Sequence, residues 1–361
     1  MTDPAPRAAL SAVPAYVAGR PPAPRAGLPT YKLSSNENPY PPLPEIVEAV
    51  EAAAATMNRY PDMGSVALYE ALSANLGVPT TDLAAATGSV ALLYHLVQAF
   101  CEAGDEVVHA WRSFEAYPIA TAICGVTSVQ VPVTADGRHD LDAMAAAVTD
   151  RTRVILVCTP NNPTGPAVTH SEVERFLAAV PSHVVVVLDE AYREFVRGED
   201  RLDALALYRS HRNVVVMRTF AKAYGLAGLR VGYLVAPEPI ATAVKACSLP
   251  FGVSAVAQAA AVAALGCEDA LAERVEAIVA ERSRVLTGLR EQGWTVPDAQ
   301  GNFVWLALGE DSPSFAALAE EEGIMVRPYG TDGVRVTIGE PAANDVFLRV
   351  AGGFARPSVV E

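Results

Sequence analysis

Three short apolar runs in this 361-residue chain end on residues with unusual chemical reach. Residues 154–158 (VILVC) lead into Thr159-Pro160-Asn161-Asn162-Pro163-Thr164-Gly165. Residues 184–188 (VVVVL) lead into Asp189-Glu190-Ala191-Tyr192, and residues 214–217 (VVVM) into Arg218-Thr219-Phe220-Ala221-Lys222. In open parallel sheets, ligands bind outside the carboxyl ends of the strands. The amide of Asn162, the carboxylate of Asp189, the phenol of Tyr192 and the amine of Lys222 are therefore expected to face one crevice, although they span sixty residues. Lys222 is one of only three lysines, with Lys32 and Lys245, so any role requiring a primary amine has few candidates.

Taken together, the four groups suit one kind of chemistry. A primary amine forms a Schiff base with an aldehyde. A carboxylate behind a strand end holds a pyridine nitrogen protonated, and a phenol and an amide bond a ring hydroxyl beside the imine. This is the setting in which pyridoxal phosphate (PLP) acts as an electron sink. Each residue alone has a plainer explanation. Asp after a strand is a common helix N-cap, Asn-Pro-Thr-Gly is a good turn anywhere, Tyr192 could be a core aromatic and Lys222 a surface lysine. The conjunction is what argues for a site.

The elements that must position these groups follow from periodicity. Near-continuous β-branched runs, including residues 106–110 and 129–133, are what a parallel sheet covered on both faces requires. Helical stretches lie between them, as at 89–101 after a short strand, and at 171–180. Strand–helix alternation predicts an α/β fold with a mostly parallel central sheet and right-handed crossovers. Upstream, 44–56 reads as a helix and Ser65 as the cap of the next one, ending near Leu76. Beyond Ser254 an alanine-rich helix (255–265) and a charged one (268–292) precede a strand–helix–strand end at 302–308, 313–322, 324–328 and 333–338. The expected organisation is an N-terminal arm over 1–35, a large PLP-binding domain over 36–253 and a small α+β domain over 254–361. The arm has seven prolines in its first thirty residues, so it gains order only by docking.

Composition removes other classes. With 27 basic and 41 acidic side chains the formal charge is −14, which disfavours a general nucleic-acid binder. The five cysteines are widely spaced and form no Cys/His cluster, so no metal site is expected. No apolar signal core or membrane-length run is present, and a cytoplasmic protein is expected.

The segments SSNENPYPPLP, NRYPD, TPNNPTG, LDEAYREF, RTFAKAYGLAGLRVGY and VRPYGTDGVRVTIGEPAAND are distributed in family order over about residues 30–345. They resemble the fold-type-I PLP aminotransferases, in the histidinol-phosphate aminotransferase-like branch. RSFEAYPIA and LPFGVSAVAQAA resemble the actinobacterial aromatic amino acid (phenylalanine) aminotransferase group. The resemblance implies a ping-pong transaminase acting on an amino acid and a 2-oxo acid such as 2-oxoglutarate, working as a homodimer with shared active sites. It makes Lys222 the Schiff-base lysine and proton carrier, and pairs Asp189 with the pyridinium nitrogen. Tyr192 and Asn162 would bond the cofactor's ring oxygen, and Phe114 would stack on the ring. Gly88, Ser89 and Val90 at a helix start, with Thr219 and Arg230, would hold the phosphate. Tyr60 would reach the phosphate of the neighbouring subunit. Arg335 would grip the substrate α-carboxylate, with Arg327, Asn36 and Tyr16 also approaching the substrate.

Many members of this family carry Ser immediately before the lysine; here that residue is Ala221. Weaker cofactor retention is the expected consequence, a loss on the order of 1.5–3 kcal/mol for one hydrogen bond to an anion. Histidinol phosphate, or a specialised amino acid of secondary metabolism, is the alternative substrate. A PLP decarboxylase or lyase and a PLP-fold regulator are the alternative classes. A carboxylate held by Arg335 opposes the first. An arm too short and proline-rich to form a DNA-binding extension opposes the second.

Overall fold

The computed structural model describes residues 4–16, 18–23 and 27–354; parts of the expected arm and the last residues of the expected C-terminal domain lie outside these. The arm carries a 3-10 turn at Ala8–Ala12 and strand β1 (Tyr31–Lys32). It docks through Arg7, whose guanidinium donates to the Ile123 carbonyl, and through an Arg20–Glu320 ion pair of 2.7 Å. Helix α1 (Pro44–Ala54) starts with proline at its first turn, where the missing N–H is not needed. Helix α2 (Val66–Leu76) corrects one expectation. Ser65 precedes it in a left-handed conformation but makes no side-chain cap; Asp62 Oδ2 accepts the Val66 N–H instead, at 2.7 Å.

Strand β2 (Leu83–Ala86), α3 (Ser89–Phe100), β3 (Glu106–Trp111), α4 (Ala116–Cys124) and β4 (Thr127–Pro132) open the main sheet, followed by α5 (Leu141–Ala146) and β5 (Thr152–Cys158). Helix α6 (His170–Ala179) begins with a full capping box between Thr169 and Glu172. Next come β6 (Val185–Asp189), α7 (Ala204–Ser210), β7 (Val214–Thr219) and β8 (Gly232–Val235). The seven strands lie in the order β2-β8-β7-β6-β5-β3-β4. All neighbours are parallel except at β8, which runs against both β2 and β7. Valines of β5, β6 and β7 are buried on both faces, which explains the unbroken apolar runs.

Two topological facts position the site. First, β3 and β5 are neighbours whose chain continuations depart in opposite directions across the sheet, and such a reversal opens a crevice at the strands' carboxyl ends. Second, because β8 returns antiparallel to β7, the loop between them begins and ends at the same edge of the sheet. Lys222 and Arg230, near the two ends of that loop, are thereby held on one side.

Helices α8 (Glu238–Ala246) and α9 (Ala255–Leu265) follow; the alanines of α9 pack in the core of the large sheet, against α1 and α2. The long α10 (Glu268–Glu291) leads to β9 (Phe303–Leu306), α11 (Ser312–Glu321), β10 (Ile324–Met325), β11 (Arg327–Pro328), β12 (Val334–Thr337) and α12 (Pro341–Gly353). The continuous strand expected over 324–328 is divided at Val326. Its first half pairs in parallel with β1 of the arm and its second half with β12. In the resulting β11-β12-β9 sheet, β12 is central, and Arg335 on β12 stands directly opposite Arg327 on β11. No single helix among the described residues is long and apolar enough to cross a membrane.

Candidate active site

At the carboxyl ends of β5, β6 and β7 lies a cavity of about 310 Å³. Cys158 of β5 is in register with Asp189 of β6, and Asp189 with Met217 of β7, so residues just beyond these strand ends meet. Asn162, Asp189, Tyr192, Thr219 and Lys222 all line the cavity, with Ser89, Val90, Phe114, Arg230, Arg327, Arg335 and Tyr16. Gly88 and Asn36 stand behind this wall, and Tyr60 is elsewhere.

Asp189 forms part of the floor. Its Oδ2 accepts the Tyr117 hydroxyl at 2.8 Å, while Oδ1 is buried with no partner among the described residues. Burial raises this carboxyl from 3.8 to about 6, against the opposing bonds from Tyr117 and the Ala191 backbone. The adjacent Glu190 serves a different purpose: it receives the buried Arg218 guanidinium at 2.8 and 2.9 Å. Of the two acids in Asp189-Glu190, the first lines the cavity and has a buried, unpartnered oxygen.

The Lys222 amine donates to the Ser35 carbonyl at 3.1 Å and lies 5.7 Å from the centre of the Tyr192 ring. Burial, then the positive charges of Arg335 and Arg230, bring it down from 10.5 to about 7, against a smaller pull from Glu37. A substantial fraction of the amine is thus neutral near pH 7. The Tyr192 hydroxyl accepts from Asn36 Nδ2 at 3.0 Å, and its ring packs edge-on against Phe303. Asn36 is fully buried at a positive φ of 52°, fixed by Thr337 and Asn302. It acts on the site through Tyr192.

At one end of the cavity lies the start of α3: Ser89 and Val90 line it, with first-turn N–H groups that have no carbonyl of their own helix to donate to, while the Gly88 N–H donates to the Ala86 carbonyl at 2.7 Å. Gly88 has φ +81°, and a Cβ there would lie 2.6 Å from Arg230 Nη2, so the glycine is what lets Arg230 approach the helix start. Gly232 on β8 similarly permits contact with Ser89 N, where a Cβ would come within 2.6 Å. Helix N–H groups beside a guanidinium form an anion cradle. Thr219 Oγ1 accepts the Ala221 N–H at 3.1 Å, and Ala221 itself lines the cavity without a hydroxyl to offer.

At the other end, Arg335 donates to Asn162 Oδ1 at 2.6 Å and to the Ser34 carbonyl at 2.7 Å; its Nε is buried and unpartnered among the described residues. This arginine is on a central strand and buried, not on a surface edge. Arg327 donates to Glu115 Oε2 at 2.7 Å and lies 5.0 Å from the centre of the Tyr329 ring. Phe114 lines the wall edge-on to Tyr117, and Tyr16 of the arm also lines the cavity while remaining 60% exposed. Tyr60 is 82% exposed and stacks on Phe251 at 4.6 Å, outside this cavity.

Sequence reasoning missed Tyr117, Glu115, Tyr329 and the Ser35 carbonyl. Tyr117 and Glu115 lie within the segment RSFEAYPIA, in which the resemblance gave a role to Phe114 alone. The proximity of Tyr329 to Arg327 in VRPYG was the one available signal.

A phosphorylated pyridine aldehyde fits these residues. A buried unpaired carboxylate oxygen suits a protonated ring nitrogen, a half-neutral amine suits an aldehyde, and the helix start with Arg230 suits a phosphate. The unpaired Arg335 Nε leaves a donor for a substrate carboxylate.

Known aminotransferases resemble the chain along nearly its whole length. A family model described as aminotransferase class I and II matches residues 29–350. The chain is 58% identical to an aromatic amino acid aminotransferase of Streptomyces avermitilis over 355 residues, covering 98% of this chain and 99% of that one. It is 57% identical, at the same coverage, to an aromatic amino acid aminotransferase of Streptomyces coelicolor. A crystal structure of histidinol-phosphate aminotransferase from Sinorhizobium meliloti in complex with pyridoxal-5'-phosphate superposes with a TM-score of 0.83 at 30% identity, covering 91% of this chain and 92% of that one.

Proposed function

The chain belongs to the class I and II aminotransferase family, and from that premise we propose that it transfers an amino group from an aromatic amino acid to a 2-oxo acid such as 2-oxoglutarate. It is a PLP-dependent transaminase of fold type I. When bound, PLP supplies the electron sink that receives the electrons of the substrate's Cα–H bond. Lys222 Nζ would hold the cofactor covalently at rest, take the α-proton during turnover and return it. Asp189 would keep positive charge at the ring nitrogen. Tyr192 and Asn162 would bond the ring oxygen, and Phe114 would pack on the ring. The α3 start, Thr219 and Arg230 would hold the phosphate. Arg335 fixes the α-carboxylate, which favours loss of Cα–H over decarboxylation. The two half-reactions alternate on one site, so the kinetics are ping-pong.

The observation that carries this reading is one cavity lined by Lys222, Asp189 and Arg335, in which Asp189 Oδ1 and Arg335 Nε are buried without a partner among the described residues. The aromatic preference rests on the names of the two Streptomyces relatives and on the rings of Phe114, Tyr329 and Tyr16 in the wall. A second reading, histidinol phosphate, is favoured by the Sinorhizobium neighbour. The proposal includes a cytoplasmic location and an arm, a large domain and a small domain as the working parts. It also includes a homodimer in which Tyr60 serves the partner's site. Exposed Met57, Tyr60, Met63, Leu249 and Phe251 support that association.

The test is a half-reaction screen on PLP-loaded protein without acceptor, adding phenylalanine, tyrosine or histidinol phosphate in turn. Bleaching of the cofactor band by the aromatic donors is the expected result. A band moved only by histidinol phosphate selects the second reading. Activity on none of the three points to a specialised amino acid, and absence of any PLP band overturns the proposal.

A further inference from the structure

Most charged groups around the cavity are already paired. Arg112 is bonded to Asp332, Lys32 to Glu37 at 2.8 Å, and Arg327 to Glu115 at 2.7 Å. Arg335 and Arg230 have no carboxylate partner among the described residues. These two free arginines match the two anions that the proposed reaction brings to every turnover, the substrate α-carboxylate and the cofactor phosphate. Arg327 is a further cation in the same wall, and its charge is answered from within the chain.

Its position gives that pairing a consequence. Arg327 and Arg335 face each other in register across β11 and β12, with the Tyr329 ring 5.0 Å from one guanidinium and 5.6 Å from the other. Both arginines and Glu115 line the cavity. A substrate held at Arg335 that carries a second anionic group meets Arg327 as the neighbouring cation, and there it meets Glu115. We infer that Glu115 is a specificity-determining residue: it is the competitor that a substrate's second anion has to displace from Arg327, and it thereby favours aromatic over acidic side chains. This rests on the aminotransferase reading with Arg335 at the α-carboxylate.

The physical basis is differential. An aromatic side chain leaves the Arg327–Glu115 pair intact and packs beside Tyr329 and Phe114. An acidic side chain breaks a charge-assisted bond and leaves the Glu115 carboxylate next to another carboxylate, a repulsive element built against the wrong substrate. The distal carboxylate of 2-oxoglutarate meets the same competitor when it serves as acceptor.

The experiment compares phenylalanine with glutamate as donors in the half-reaction of the PLP-loaded enzyme, and reads the ratio of their second-order rate constants. Glu115→Gln is expected to raise the glutamate/phenylalanine ratio roughly tenfold or more, the scale of one charged hydrogen bond, with the gain in apparent affinity for glutamate. Adding Arg327→Gln to that variant is expected to remove the gain, and Arg327→Gln alone to lower the ratio below wild type. An unchanged ratio in Glu115→Gln, or a gain that survives in the double variant, overturns the inference. Should Glu115→Gln lose PLP, an unaltered ratio in Arg327→Gln overturns it equally. A wild-type enzyme that moves no amino group from phenylalanine defeats the parent reading and this one with it; a wild type that does so, with no response to these variants, defeats this one alone.

Discussion

Tyr117 gives its hydroxyl hydrogen to Oδ2 of Asp189 at 2.8 Å, while Oδ1 of the same carboxylate stays buried and unpaired. A tyrosine in helix α4 thus orients the acid at the end of β6 from seventy-two residues away, leaving one oxygen for a ligand.

This arrangement has a cost without the cofactor. Burial raises the folded carboxyl from 3.8 to about 6, so the folded chain binds more protons than the unfolded chain between those values. Its contribution to stability is complete below about pH 4 and is lost as pH rises through about 6. Cofactor-free Asp189→Asn is therefore expected to be more stable than wild type at pH 8, by about 1–3 kcal/mol, with the difference vanishing near pH 4. Thermal melts at both pH values check this. With PLP bound the order reverses in function: turnover of the variant falls roughly 10²-fold, the scale of a lost charged hydrogen bond.

Lys222 sets a second pH dependence. Only the neutral amine attacks an aldehyde, and the amine sits at about 7. The rate of PLP capture should rise about tenfold per unit below pH 7 and level off above it. Arg335→Gln removes a positive charge that lowers this amine, so the inflection moves to higher pH; stopped-flow absorbance follows both. Lys222→Ala should eliminate the borohydride-reducible link and reduce turnover by at least about 10²–10⁴-fold.

Gly88→Ala tests the anion cradle. The new methyl would meet Arg230 Nη2 at 2.6 Å and would strain a φ of +81°. Displacement of Arg230 should weaken PLP binding about tenfold or more, the worth of one charged contact. Arg230→Gln should weaken it similarly, and the double variant by less than the sum, because both changes remove the same contact. Equilibrium titration of the cofactor band gives the comparison; strictly additive losses would refute the link.

Ala221→Ser returns a hydroxyl to the cavity wall beside Thr219. PLP dissociation is expected to slow by up to about tenfold, since a hydrogen bond to an anion is gained without new burial. An unchanged off-rate measured by dialysis against a PLP scavenger would show that the helix start, Thr219 and Arg230 already satisfy the phosphate.

Much of the site was legible because its coding is local. Each of the three strand runs is a short β-branched segment followed at once by its polar residues, and parallel pairing gathers carboxyl ends by its own geometry. What escaped reading was set by other contacts. Asp62 takes the capping role that Ser65 was expected to fill, because Ser65 sits in a left-handed turn. The run at 324–328 divides because the arm claims Ile324–Met325. Asn36 is buried where the arm crosses the small sheet.

By itself the sequence determined the α/β alternation and the strand ends from which Asn162, Asp189, Tyr192 and Lys222 reach one cavity, since each depends on residues within a few positions of one another. Tertiary structure alone decided that Tyr117 supports Asp189, that Glu115 answers Arg327, and that Arg335 reaches Asn162 across 173 residues. Those contacts arise where separately formed elements pack together, and no local periodicity encodes which side chains will meet there.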